Sequence, residues 1–120
     1  MKILLAEDDV LTMQSLTYFL KAKNYEIEHA KDGEAALQFL KSETFDLIIT
    51  DLNMPKIGGM ELIHIIRNDL KLVTPIIVLT ASGIEQTELD AFAIGASEFI
   101  SKPFSPSVLN TRIQRLIPIS

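Results

Sequence analysis

The chain has 120 residues, 48% of them apolar and 22% charged, with five Gly, five Pro and no Cys. That is enough to bury one core and too little for two ordinary domains, so a single domain over 1–120 is expected, without the polar, high-charge signature of disorder. Sixteen acidic residues against 11 basic ones give a formal charge of −5, which disfavours an autonomous role on nucleic acid or an anionic membrane; the lack of Cys excludes thiolate metal sites and is in keeping with the cytoplasm.

Residues 2–7 open with the apolar run Ile3-Leu4-Leu5-Ala6, cut off by Glu7, Asp8 and Asp9. The run is too short for a signal peptide or a membrane span and reads as a strand. Val10, Met13, Leu16 and Leu20 then form one helical stripe, with Lys21 and Lys23 in the last turn and Asn24 placed to stop it. A weaker strand over 25–30 alternates Tyr25 and Ile27 with Glu26 and Glu28, and a helix from Gly33 or Glu34 to Lys41 turns Ala36, Leu37 and Leu40 inward. The third strand, 45–50, carries Leu47-Ile48-Ile49-Thr50, and the third helix carries Leu62, Ile63, Ile65 and Ile66 ahead of Arg67-Asn68-Asp69. Ile76-Ile77-Val78-Leu79 marks a fourth strand over 75–80, followed by a helix from Glu85 to Ile94 that stops at Gly95. A second weak strand, 97–101, holds Phe99 and Ile100; after Ser105-Pro106 a last helix carries Val108, Leu109, Ile113 and Leu116 until Pro118 stops it.

Three strands are apolar without alternation, which requires burial on both faces, and the two weaker ones belong at the edges. Five βα repeats with right-handed crossovers make a doubly wound α/β parallel sheet with helices on both faces. In such sheets ligands bind beyond the carboxyl ends of the strands. Those ends deliver Glu7, Asp8 and Asp9, then Asp51 and Asn53, then Thr80 and Ala81, then Lys102.

Clustered carboxylates on a mostly buried edge need a cation, and an all-oxygen set favours a hard one such as Mg²⁺ over Ca²⁺, which wants more ligands. Capping of the following helix accounts for Asp9 but not for all three acids. Asp51 has the chemistry of a nucleophile that forms an acyl phosphate, Lys102 that of a counter-charge, and the Thr80 hydroxyl that of a hydrogen-bond donor to phosphoryl oxygens.

Glu7-Asp8-Asp9, Asp51 with Met54-Pro55 and Gly59 behind it, Thr80-Ala81 and Lys102-Pro103 together resemble the receiver domain of two-component response regulators, in order and spacing and over essentially the whole chain. The resemblance implies a flavodoxin-like sheet of order 2-1-3-4-5 and a domain that accepts a phosphoryl group on Asp51 from a histidine kinase or phosphotransfer protein. It implies Mg²⁺, with Mn²⁺ as a substitute, on Asp8, Asp51 and the Asn53 carbonyl, Glu7 acting through water and Asp9 as a weaker ligand. Thr80 becomes the switch hydroxyl, Lys102 the phosphate-pairing lysine ahead of a cis Lys102-Pro103 bond, and Phe99 the aromatic switch residue. Phosphorylation is then expected to alter a face presenting Ile84, Glu88, Phe99, Ser101 and parts of the last helix, which docks an output domain or partner or forms a homodimer. The resemblance also implies that Asn53 and Ser82 border the path of the attacking water, and Gly58 places a second glycine where a polar residue is common in the family. His29 and His64 are expected to lie away from the acidic edge and receive no role.

Two other classes share parts of this pattern. A flavodoxin-like FMN or nucleotide binder needs a phosphate-cradling loop after the first strand, where Glu7-Asp8-Asp9 would repel the phosphate. An aspartate-based phosphohydrolase places its nucleophile in a DxD arrangement after that strand, where this chain has Glu-Asp-Asp. A degenerate receiver serving only as an interaction module remains an alternative, disfavoured because each position of the phosphorylation set is filled.

Overall fold

The computed structural model describes residues 1–81 and 85–117, and of 85–88 the backbone alone. Its strands are β1 (Lys2–Ala6), β2 (Glu26–Ala30), β3 (Leu47–Asp51), β4 (Ile76–Thr80) and β5 (Glu98–Ser101), and its helices are α1 (Val10–Ala22), α2 (Gly33–Ser42), α3 (Gly59–His64), α4 (Glu85–Ala93) and α5 (Pro106–Leu116). The five strands form one parallel sheet in the order β2-β1-β3-β4-β5, the order implied by the resemblance, with β2 and β5 at the edges.

The unbroken apolar strands are explained by two separate cores. Ile3, Leu5, Leu47, Ile49, Ile77, Leu79 and Ile100 pack on one face against Leu16 and Leu20 of α1 and Leu109 and Ile113 of α5. Leu4, Ala6, Ile48, Ile76, Val78 and Phe99 pack on the other against Ala36 of α2, Leu62 and Ile63 of α3 and Ala91 of α4. Successive residues of a strand point to opposite faces, so a strand covered on both sides needs apolar residues at every position.

Local signals set several helix ends. Asp9 caps α1 by accepting from the Thr12 amide at 2.9 Å, Asp32 caps α2 from the Ala35 amide at 2.7 Å, and Ser105 caps α5 with Pro106 in its first turn. Asn24 adopts φ +68° just past α1, and Gly95 φ +121° just past α4.

Several expectations need correction. Val10 and Val108 are 58% and 41% exposed rather than inward. At 3.6 residues per turn Val10 lies about 120° round the helix from Leu16, and Val108 about 100° from Leu109, outside the stripe facing the sheet. Tyr25 precedes β2 instead of opening it, and its buried hydroxyl donates to Asn110 Oδ1 at 3.0 Å, joining the end of α1 to α5. The third helix does not continue as an α-helix: Ile65–Asp69 forms a π-helical turn, closed by the Leu70 amide on the Ile65 carbonyl at 2.9 Å. From the middle of that stretch Arg67 donates to the Gly95 carbonyl (3.1 Å) and the Leu72 carbonyl (2.8 Å). Pro118 lies outside the described residues.

Candidate functional site

β1, β3, β4 and β5 end at one edge of the sheet, and each supplies a polar group there. Glu7 follows β1 and is 1% exposed, Asp51 closes β3 at 6%, and Thr80 closes β4 fully buried. Asp51 is thus the last strand residue rather than the first loop residue. It is held by its own surroundings: its Oδ1 accepts the Asn53 amide at 3.1 Å, and its carbonyl accepts the Thr50 hydroxyl at 3.0 Å.

Lys102 reaches in from beyond β5. Its Nζ lies 2.6 Å from Asp51 Oδ2 and 3.0 Å from Glu7 Oε1, while its backbone amide donates to the Thr80 carbonyl at 2.6 Å and its bond to Pro103 is cis. One ammonium therefore bridges two buried carboxylates, which supplies the pairing that buried charge requires. Asp8 is exposed, yet one carboxylate oxygen each of Glu7, Asp8 and Asp51 lie within 4.8 Å of one another. Asp9 is turned away to its cap, its Oδ2 accepting both the Thr12 amide and the Thr12 hydroxyl, the latter at 2.6 Å.

The electrostatics follow from this packing. Burial pushes the Glu7 carboxyl up to about 7; the hydrogen bond from Lys102 opposes the rise and the negative charge of Asp51 reinforces it. Burial pulls the Lys102 ammonium down, but its bonds to Asp51 and Glu7 outweigh that and leave it above the ordinary lysine value. The Thr12 bonds hold Asp9 below the usual carboxylate range.

Two glycines press the loop after β3 into place. A Cβ on Gly59 would stand 2.4 Å from the Asp51 carbonyl oxygen, and one on Gly33 would stand 2.2 Å from the Ile57 carbonyl oxygen. Only a bare Cα fits at either point, so α2 and α3 both approach this loop closely. Gly58, between them, is different: a Cβ there would meet the Leu52 carbonyl oxygen at 3.6 Å, an ordinary contact.

The edge brings together Glu7, Asp8, Asp51, Asn53, Thr80 and Lys102, and leaves Asp9 on its cap. Phe99 is turned inward: it is 6% exposed, with its ring centroid 6.5 Å from that of Phe92, because its position on β5 points into the α4 side of the core. One expectation fails. His29 is not remote, since its Nε2 lies 2.8 Å from the Glu7 carbonyl oxygen. β2 pairs with β1 so that His29 lies opposite Leu5 and Ala30 opposite Ala6, which carries the imidazole to the acidic end. No local sequence signal marks that contact. His64 stays on the exposed side of α3, with Asn68 beside it at 3.1 Å. Ser82, Ile84 and the side chain of Glu88 lie outside the described residues.

A parallel (βα)₅ sheet that gathers three acids and a lysine at its carboxyl edge has the architecture of the CheY-like receivers. The chain belongs to the response regulator receiver domain family, whose model matches residues 3–114. It is 39% identical over 114 residues to the transcriptional regulatory protein CrdR of Helicobacter pylori, covering 95% of this chain and 54% of that protein. Among solved structures, chemotaxis response regulator CheY4 of Vibrio cholerae superposes with a TM-score of 0.89 at 34% identity, over 97% of this chain and 98% of that one. Response regulator TrrA of Thermotoga maritima, solved in complex with Mg²⁺-BeF, gives 0.86 at 34% identity, over 97% and 98%. The chain spans about half the length of the curated relatives it first matches. It is a receiver domain of the two-component response-regulator kind, and among the described residues no helix is long and apolar enough to cross a membrane.

Proposed function

We propose that Asp51 is the phosphoacceptor of this receiver and that Glu7, Asp8 and the Asn53 carbonyl complete a Mg²⁺ site beside it. The observation that carries the reading is the convergence of Glu7, Asp8 and Asp51 oxygens within 4.8 Å, with the Lys102 ammonium already 2.6 Å from the Asp51 carboxylate. Three close carboxylate oxygens suit a hard divalent cation, and Mn²⁺ satisfies the same donors. Asp8 and Asp51 would hold the ion through their side chains, and Glu7 would act on it through water. Asp9 is the weaker candidate, since Thr12 already engages its carboxylate. When bound, Mg²⁺ supplies charge neutralisation for the phosphoryl oxygens.

An Asp51 carboxylate oxygen attacks the phosphorus of a phosphohistidine, the P–O bond forms as the P–N bond breaks, and the imidazole leaves and takes up a proton. Lys102 follows the incoming charge, and the Thr80 hydroxyl turns toward the phosphoryl oxygens. The donor is a histidine kinase or phosphotransfer protein. The groove lined by Leu11, Thr12, Leu16, Lys102, Pro103 and Phe104 lies beside the lysine and offers it an apolar landing site. Movement at Thr80 and repacking of Phe99 against Phe92 then alter the α4-β5-α5 face, which controls an output domain or partner and supports a phosphorylation-dependent homodimer. The domain comprises 1–120 and works in the cytoplasm.

Intact mass after incubation with acetyl phosphate and Mg²⁺ tests this. The wild type gains one phosphoryl group, and Asp51→Asn or added chelator abolishes the gain. Failure of the wild type to gain it, together with failure to bind the beryllium fluoride mimic, would favour the degenerate interaction module.

A further inference from the structure

We propose that His29 is a positioning residue for the acidic pair: its Nε2–H holds the Glu7 carbonyl and thereby fixes the direction in which Asp8 leaves the sheet. The inference rests on the reading of Glu7, Asp8 and Asp51 as a Mg²⁺ site and adds to it a residue from a neighbouring strand.

Glu7 is gripped by β2 at both of its backbone groups. Its amide donates to the Ala30 carbonyl at 3.0 Å, and its carbonyl lies 2.8 Å from His29 Nε2. A carbonyl oxygen only accepts, so Nε2 carries the proton in either charge state of the ring. Two residues on, Asp9 is fixed as the cap of α1, and its amide donates to Glu7 Oε2 at 3.2 Å. Asp8 is the single residue between these anchors. The Glu7 carbonyl belongs to the Glu7-Asp8 peptide, so a free rotation of that peptide would swing the Asp8 carboxylate relative to Glu7 and Asp51. His29 is half-buried, and its own strand is a sheet edge, so the ring makes this contact without being a central core residue. Groups that orient metal ligands from behind are commonly worth about ten- to a hundredfold in metal affinity, and a tether acting through one backbone carbonyl belongs at the low end of that range.

The test compares wild type, His29→Leu, which keeps bulk without a donor, and His29→Gln, whose side-chain amide can donate to the same carbonyl. Each is first checked by urea denaturation. Asp8 and Asp9 amide NMR shifts are then recorded without metal, and Mg²⁺ is titrated by calorimetry. The expected result is that His29→Leu moves both amides and binds Mg²⁺ about tenfold more weakly, while His29→Gln restores both readouts to near wild type. Equal affinity in wild type and His29→Leu, or an equal loss in the two variants, overturns the positioning role while leaving the metal site standing. A wild type that binds no Mg²⁺ overturns the metal reading and this inference with it.

Discussion

Replacing Glu7 with Gln isolates the electrostatic cost of the acidic edge in the metal-free protein. Burial raises the Glu7 carboxyl from its ordinary 4.5 to about 7. A carboxyl whose folded pKa stands above its unfolded one favours the folded state only while protonated. Its contribution is complete at low pH and is lost as pH rises through the folded value. With these two values the loss between about pH 5.5 and about pH 8 amounts to about 2 kcal/mol. Glu7→Gln keeps the shape and removes the titration, so other groups largely cancel in the difference between the two proteins. Urea denaturation in chelator at the two pH values measures it: wild type should lose about 2 kcal/mol relative to Glu7→Gln on going to the higher pH. Excess Mg²⁺ should close that gap or reverse it, because ligand binding to the folded state stabilises it. Parallel pH dependence of the two proteins in chelator would refute the reasoning, and would mean that Lys102 fully compensates the buried charge.

The two kinds of glycine give opposite predictions. Gly33→Ala drives a methyl to within 2.2 Å of the Ile57 carbonyl oxygen and should cost about 1–3 kcal/mol in urea denaturation. Gly58→Ser has room, sits at an extended φ of −72° and places a hydroxyl where α3 has no side-chain cap, so the same measurement should show a gain of about 0.5–1 kcal/mol.

Much of this architecture is written locally. The runs around Leu4, Ile48 and Ile77 announce strands buried on both faces, and Asp9, Asn24, Gly95 and Ser105 mark helix ends by their own backbone chemistry. The acidic edge is legible for a related reason, since strand ends of a parallel sheet all point one way. What local reading misses depends on distance or phase. The His29 contact needs the β1-β2 register, in which His29 lies opposite Leu5, and the Gly33 contact needs the packing of α2 on the loop after β3. The π-helical turn at Ile65–Asp69 interrupts a helical pattern that looks continuous, and the carbonyls bound by Arg67 within it, those of Gly95 and Leu72, are set by the tertiary fold. Val10 and Val108 are apolar residues just outside the stripes of their helices, which composition does not distinguish from residues within them.

Lys102 carries one more consequence. Its ammonium is bonded to Glu7 and Asp51, two of the carboxylates proposed to receive a divalent ion. At the proposed site Lys102 would therefore be a built-in competitor for the metal, and binding would be an exchange of cations, not the filling of a bare anionic pocket. Such an exchange lowers apparent affinity and makes the metal easy to release. It would also leave the displaced ammonium within reach of an incoming phosphoryl group, so on the proposed reading the same side chain would neutralise the resting state and the phosphorylated one in turn.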